Sequence, residues 1–95
     1  MTYDVDLDKK ALGDLRQIID YYKGTMHVDR FRAKLYRQMK TLETWPNVGI
    51  DIGGDFRKAI LLKRYVLLYQ VKRNRVIIRR IFDGRTDYDK EKEEE

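Results

Sequence analysis

Hydrophobic residues along the first half of the chain follow a two-residue spacing and then a three-to-four-residue spacing. The opening stretch TYDVDL alternates apolar and acidic positions, which is typical of a half-buried strand. Two helices are predicted next, over DKKALGDLRQIIDYYKG with Asp8 as N-cap and Gly24 as terminator, and over HVDRFRAKLYRQMKTLETW, which Pro46 ends. Because the link between them is very short, the helices should form an antiparallel hairpin.

The second half of the chain is predicted to form a loop followed by three strands. The glycines and the asparagine of NVGIDIGGD indicate turns. The segments FRKAILL, YVLLYQV and VIIRRIF have strand-forming composition, and the short polar links between them predict an antiparallel meander. The order β-α-α-β-β-β therefore predicts an α+β fold, with the helical hairpin packed on one face of a twisted antiparallel sheet. The alternation in the first strand favours an edge position for it.

Length and composition limit this fold to one small domain, predicted over residues 1–89. The chain has 95 residues, of which 42% are hydrophobic, and residues 90–95 (KEKEEE) should form a disordered acidic tail. No apolar stretch reaches the length of a membrane span, and MTYDVDLDKK lacks the apolar core of a signal peptide. The absence of cysteine excludes disulfides and suits a cytoplasmic location.

The distribution of charge indicates a possible function, because the excess of basic residues lies in the part of the chain that is predicted to fold. The net charge is +5, and the last six residues contribute −2, so the rest of the chain carries +7. A basic body favours an acidic partner, either nucleic acid or an acidic protein segment. Solubility alone is the alternative explanation of this charge.

The common catalytic constellations are absent from the sequence. It contains no serine and no cysteine, and His27 is the only histidine, which excludes Ser-His and Cys-His pairs. One histidine among scattered carboxylates lacks the spacing of a metal site, and GIDIGGD lacks the context of a phosphate-binding loop. We therefore expect His27 to be a surface or capping residue, and we expect no metal and no cofactor.

Cations on and after the predicted meander are the main candidates for function. Arginine suits phosphate and carboxylate recognition because its planar guanidinium donates two parallel hydrogen bonds. A target- or anion-binding groove is predicted from Arg57, Arg64, Arg80, Arg85, Asp87 and Tyr88.

Arg79 and Arg80 are adjacent in the last strand, and alternation directs their side chains to opposite faces. An arginine among Val76, Ile78 and Ile81 is costly unless it meets a carboxylate, for which the nearby candidates in sequence are Asp83 and Asp87. Two interpretations stay open. The arginines form a groove for an anion, or an Arg–Asp pair holds the C-terminal segment against the sheet.

Four segments of the chain resemble the RelE/ParE superfamily of toxins from bacterial type II toxin–antitoxin modules. They are DLRQIIDYY, LETWPNVG, FRKAILLKRYVLLYQV and VIIRRIFDGRTDY, and together they extend from about residue 3 to residue 89. The resemblance implies a helical hairpin on an antiparallel sheet. It also implies one of two targets, since RelE-like members cleave mRNA on the ribosome and ParE-like members poison DNA gyrase without a reaction of their own.

The hairpin segment favours the ParE-like side of the superfamily. RelE-like members have an arginine just before LVY, whereas this chain has Val66 before LLY. Without that arginine, the negative charge that develops on a scissile phosphate loses a stabilising group. The His-Tyr ending of some nuclease members is also missing. One position departs from the ParE-like pattern, because many ParE-like members have a histidine where this chain has Asp83.

The resemblance leaves three functional interpretations. The first is a toxin that poisons DNA gyrase through a surface shaped by Arg80, Arg85 and Asp87. The second is a ribosome-dependent mRNA endonuclease, in which phosphates and the 2′-OH are contacted by Arg57, Arg64, Arg85 and Tyr88. The third is a non-toxic basic interaction domain. For a toxin, the resemblance implies a cognate antitoxin, expected to be small, acidic and partly disordered.

Overall fold

Two helices pack against one face of a five-stranded sheet in this protein. The computed structural model describes residues 2–84. The elements in chain order are β1 (Asp4–Leu7), α1 (Lys9–Tyr22), α2 (His27–Thr44), β2 (Ile50–Gly53), β3 (Phe56–Leu61), β4 (Tyr65–Lys72) and β5 (Arg75–Asp83). Neither helix in this range is long and apolar enough to cross a lipid bilayer. The predicted α+β fold is confirmed.

Both predicted helices form, and residues near their ends explain where they start and stop. The Asp8 carboxylate accepts a hydrogen bond from the backbone N–H of Ala11 at 3.1 Å, which satisfies a donor of the first turn of α1. The link between the helices contains Gly24 at φ +80°, a left-handed conformation that glycine adopts without steric cost. α2 ends at Thr44, two residues before Pro46, as predicted.

The sheet is mixed, because its first strand pairs in parallel. The strand order is β1-β5-β4-β3-β2. β3, β4 and β5 form the predicted antiparallel meander. β1 lies at an edge, as predicted, but it runs parallel to β5, with Asp4 opposite Arg75 and Leu7 opposite Ile78. A parallel pair needs a long connection between its strands, and here the helical hairpin and three strands supply it.

The segment NVGIDIGGD, predicted as a loop, contains strand β2. Ile50 pairs with Lys58 and Asp51 pairs with Arg57 in an antiparallel ladder. Gly53 at φ +101° and Gly54 at φ +60° form the turn into β3, so the turn prediction holds at these two positions. The strand has only four residues, the last of which is a glycine, and its pairing with β3 rather than its own composition makes it extended.

The hydrophobic core lies between the helices and the facing side of the sheet. Its buried residues are Ala11, Phe31, Leu35, Leu42, Ala59, Leu61, Tyr65, Leu67, Tyr69, Val76, Ile78 and Ile81. Burial alternates along β4, as the two-residue spacing predicts. The opposite face of the sheet stays open, and Ile60 is half exposed there.

A β-bulge interrupts the alternation in β5. Tyr69 pairs with Ile78 and Leu68 pairs with Arg80, so Arg79 is an extra residue on its strand. As a result, Ile78 and Ile81 are both buried although they are three residues apart. The bulge changes the direction of the strand where the two adjacent arginines lie.

A buried tyrosine fastens the loop before β2 to the sheet. The Tyr69 hydroxyl donates to the carbonyl of Pro46 at 2.8 Å and accepts from the N–H of Gly49 at 2.9 Å. A Cβ at Gly49 would collide with this hydroxyl and would lie 2.7 Å from the Lys58 carbonyl, so this close approach requires glycine. Burial raises the pKa of Tyr69, which keeps its hydroxyl a neutral donor.

Candidate functional site

A hollow between α1 and the second half of β5 brings two of the predicted arginines together. Its volume is about 400 Å³. We call it the α1–β5 hollow, and it is lined by, among others, Asp14, Tyr21, Arg64, Tyr65, Arg80 and Asp83. β1 ends at Leu7, opposite Ile78, so α1 rather than a strand covers the rest of this side of β5.

Arg80 is held in the hollow by Asp14 of α1. The Arg80 Nε and Nη2 atoms donate to the two carboxylate oxygens of Asp14 at 2.7 and 3.2 Å. The same carboxylate accepts the backbone N–H of Ile81 at 2.9 Å, a donor that faces the helix instead of a strand. The sequence suggested Asp83 or Asp87 as the partner of an arginine in this strand. Within residues 2–84, a carboxylate of α1 meets Arg80, at a sequence separation of 66 residues, while Asp87 lies outside this range.

Arg64 enters the hollow from the turn between β3 and β4. Its Nε and Nη2 atoms each lie 2.9 Å from Asp83 Oδ2, and its Nη1 donates to the Tyr22 hydroxyl at 2.9 Å. Leu62 and Lys63 in this turn have positive φ angles of 56° and 58°, a conformation that side chains disfavour. The hydrogen bond to Asp83 raises the pKa of Arg64, so the guanidinium is charged at any physiological pH.

Arg57 lies apart from the other two arginines. Its Nη1 donates to the carbonyls of Asn47 at 3.2 Å and Gly49 at 2.9 Å, and its Nη2 lies 4.0 Å from Asp51. It does not line the α1–β5 hollow. The structure therefore gives Arg57 a local role, which is to hold the loop before β2 against β3.

Arg79 binds different partners from those of Arg80. Its Nε donates to Gln70 at 2.6 Å, and its Nη1 donates to Asp8 at 3.1 Å. The Ala11 N–H, with a further contribution from Arg79, lowers the pKa of Asp8 below its usual value. Asp8 thus joins the start of α1 to β5 as well as capping the helix.

Three predicted site residues, Arg85, Asp87 and Tyr88, lie outside the described residues, as does the predicted acidic tail at 90–95. The chain reaches them through Gly84, whose N–H donates to the Arg64 carbonyl at 2.8 Å. A Cβ on Gly84 would lie 2.6 Å from a methyl group of Val66. Glycine therefore lets the end of β5 approach the β3–β4 turn closely.

The α1–β5 hollow presents charges of both signs at fixed positions. Arg64 and Arg80 are each bonded to a carboxylate, and the exposed ring of Tyr21 lies beside them. The only histidine of the chain, His27, lines a different cavity. An arrangement of paired charges and aromatic rings can recognise a protein surface.

Sequence reasoning missed Asp14, Tyr22 and Gln70 as partners of the arginines. One signal was available for Asp14, which lies three residues after the buried Ala11 and four before the half-buried Ile18. This spacing places a carboxylate at the margin of the apolar face of α1. No comparable signal marks Gln70, because its role depends on the pairing of β4 with β5.

Comparison with known proteins gives one family and several similar structures. A family model for the ParE toxin of the type II toxin–antitoxin system parDE matches residues 5–88. No curated protein sequence matches the chain significantly.

Among solved structures, the fold is similar to that of a chain from the chromosomal ParDE system of P. aeruginosa. That match has 22% identity and a TM-score of 0.67, and it covers 86% of this chain and 96% of the other. A chain of the E. coli DinJ-YafQ toxin–antitoxin complex matches with 13% identity and a TM-score of 0.66 over 90% and 97% of the two chains. HP0894 from Helicobacter pylori matches with 18% identity and a TM-score of 0.60 over 90% and 97%. At these identities the similarity concerns the fold.

Proposed function

This chain belongs to the ParE toxin family of type II toxin–antitoxin systems, and we propose that it inhibits growth by binding DNA gyrase. Membership of the RelE/ParE superfamily makes it the toxin of its module and implies a cognate antitoxin as partner. The alternative target is mRNA on the ribosome. The choice between the two rests on how the arginines are arranged.

The separation of Arg57 from Arg64 is the observation that carries the proposal. Cleavage of a phosphodiester is accelerated by cations directed at the charge that develops on the phosphate. Arg57 is bonded to loop carbonyls, whereas Arg64 is bonded to Asp83 and Tyr22 in the α1–β5 hollow. These two arginines of the nuclease interpretation therefore do not converge on one site.

The position at which RelE-like members carry an arginine also supports a binding role. Val66 occupies it here, and it pairs with Phe82 across β4 and β5 on the open face of the sheet. This apolar pair borders the hollow, since Phe82 is among its lining residues. Apolar and aromatic side chains beside arginine are characteristic of the centres of protein–protein interfaces.

The proposed mechanism is therefore recognition without catalysis. Gyrase would bind at the α1–β5 hollow, with the half-exposed Arg80 and the exposed Tyr21 as contacts. The antitoxin, expected to be acidic and partly disordered, would neutralise the toxin by covering the same basic surface. Its acidic residues would compete with Asp14 and Asp83 for the two arginines.

The experiment is a supercoiling assay with purified gyrase and the full chain. We expect inhibition by the wild-type protein and at least about tenfold weaker inhibition by Arg80→Glu, because interface arginines are frequent hot spots. The matched control is Arg75→Glu. Arg75 lies in the same strand and is also paired with an aspartate, Asp6 at 2.8 Å, but it lies outside the hollow.

Two results would contradict the proposal. Equal losses in Arg80→Glu and Arg75→Glu would show that net charge rather than the hollow determines inhibition. Normal supercoiling together with cleavage of ribosome-bound mRNA, measured by primer extension, would identify the endonuclease instead. If neither activity is detected and cells grow normally on induction, the chain is a non-toxic interaction domain.

A further inference from the structure

A second cavity lies where the tip of the helical hairpin meets the β3–β4 turn. Its volume is about 330 Å³. We call it the hairpin-tip cavity, and the lining residues used below are Tyr22, His27, Arg30, Phe31, Arg64 and Tyr65. Asp14 and Arg80 of the α1–β5 hollow do not line it, and Arg64 and Tyr65 border both spaces.

The lining of the hairpin-tip cavity carries basic groups and no acidic group. Arg30 and Arg64 contribute guanidinium groups, and His27 contributes an imidazole. Within residues 2–84, no carboxylate lines this cavity, although Asp14 and Asp83 line the neighbouring hollow. The charge of Arg64 is matched by Asp83 from outside the cavity. The exposed Arg30 therefore supplies positive charge at the rim.

Two tyrosines place a hydrogen-bond donor at the wall of the cavity. The Tyr22 and Tyr65 hydroxyl oxygens lie 2.8 Å apart, and Arg64 donates to the Tyr22 oxygen at 2.9 Å. Each hydroxyl carries one hydrogen, and one of these two hydrogens forms the bond between the hydroxyls. In the described part of the chain, the second hydrogen has no acceptor. Burial, with the contact to Tyr22, raises the pKa of Tyr65, so the Tyr65 hydroxyl stays protonated at neutral pH.

Aromatic rings form the rest of the wall. The Phe31 and Tyr65 rings meet edge to face with centroids 5.2 Å apart, and the Tyr22 and His27 rings lie 5.6 Å apart. Such surfaces accept an apolar or aromatic group while the basic residues attract a negative charge. A ligand that combines both properties fits this wall best.

We propose that the hairpin-tip cavity binds an oxyanion carried on an apolar or aromatic group, either a carboxylate or a phosphate monoester. The spare tyrosine hydroxyl and Arg30 bind the oxyanion, and the rings of Phe31 and Tyr65 contact the body of the ligand. The proposal does not depend on the target of the toxin, because Arg30, His27 and Phe31 take no part in the gyrase site.

The test is an NMR titration of the labelled full chain with three probes that share one phenyl group. 3-Phenylpropanoate and phenyl phosphate carry the two candidate oxyanions, and 3-phenylpropanamide is the uncharged control. We expect saturable binding of at least one anion with a dissociation constant of about 1–10 mM, and the tighter anion identifies the natural chemistry. Shifts should concentrate at Tyr22, His27 and Tyr65, and the amide should bind at least about fivefold more weakly.

Variants locate the binding within the cavity. Arg30→Gln should weaken anion binding about threefold, as expected for a partly exposed charge. Arg32→Gln is the matched control, since Arg32 is exposed on the same helix and does not line the cavity. The double variant Tyr22→Phe with Tyr65→Phe removes both hydroxyls and should weaken binding about tenfold.

The proposal is overturned by any of three results. The first is that the amide binds as tightly as the anions, and the second is that Arg32→Gln weakens binding as much as Arg30→Gln does. The third is that no probe gives saturable shifts at Tyr22, His27 and Tyr65 below about 20 mM. The single variants alter exposed side chains on α2, so their folding should be intact. Their spectra verify this before each titration.

Discussion

Replacing Asp14 with alanine should destabilise the protein far more than replacing Asp6 with alanine. Both carboxylates bind an arginine of β5, Asp14 to Arg80 at 2.7 Å and Asp6 to Arg75 at 2.8 Å. They differ in burial, because the Asp14 side chain is 16% exposed and the Asp6 side chain is 55% exposed. They also differ in one hydrogen bond, since Asp14 accepts the backbone N–H of Ile81 at 2.9 Å.

The magnitude follows from these contacts. Loss of the only carboxylate that meets the part-buried Ile81 N–H costs about 1–3 kcal/mol, because the donor is left without a partner. The ion pair with the half-exposed Arg80 adds about 0.5–1 kcal/mol. Asp14→Ala should therefore reduce the free energy of unfolding by about 1.5–4 kcal/mol. Asp6→Ala should reduce it by less than about 1 kcal/mol, since its pair is a surface pair.

The assay is urea denaturation of both variants followed by circular dichroism, with thermal melts as a second measurement. For a domain of this size, about 2 kcal/mol corresponds to a fall in Tm of roughly 8–16 °C. The slope of the unfolding free energy against urea concentration should be the same in both variants. Only then does the difference reflect the folded state rather than the unfolded state. Equal losses for the two variants would refute the reasoning, because the Ile81 hydrogen bond would then contribute nothing.

Three further predictions concern contacts elsewhere in the fold. Tyr69→Phe should reduce the free energy of unfolding by about 2–4 kcal/mol, because the Pro46 carbonyl and the Gly49 N–H lose their partner. The control is Tyr36→Phe at an exposed position, which should change this free energy by less than about 0.5 kcal/mol in the same urea assay. Gly49→Ala should lower Tm by at least about 8 °C, since the added methyl group collides with the Tyr69 hydroxyl and the Lys58 carbonyl. The folded-state pKa of Asp8 lies below 3.8, so its contribution to stability is complete above that pH and is lost as pH falls through the folded pKa. Asp8→Asn should therefore show a shallower loss of stability than the wild type in acid melts below about pH 4.

The sequence predicted the helices and the meander because their periodic patterns are local. Asp8 and Pro46 mark helix ends by interactions within a few residues, and the alternation of β4 is visible without knowing its neighbours. β2 was missed because three residues between Gly49 and Gly53 carry no pattern of their own, and their extended form depends on β3. The parallel pairing of β1 was missed for a related reason, since alternation identifies a strand but not its partner.

The candidate site was predicted only in part, because its geometry depends on contacts between distant residues. The sequence indicated Arg64 and Arg80, and the structure places both in the α1–β5 hollow. It also grouped Arg57 with them, but the contacts of Arg57 with Asn47 and Gly49 follow from the position of β2, which was not foreseen. Asp14 is separated from Arg80 by 66 residues, so their pairing is not evident from local sequence.

The parallel pairing of β1 with β5 has a consequence for the order of events during synthesis. Asp4 pairs with Arg75, so the first of the described strands gains its partner only after the last one has formed. Contacts between such distant positions are slow to form, and the sheet stays open at one edge until they do. A chain built in this way completes its sheet only after β5 has formed, and the edge of β5 beside β1 is the last part of the sheet to be covered.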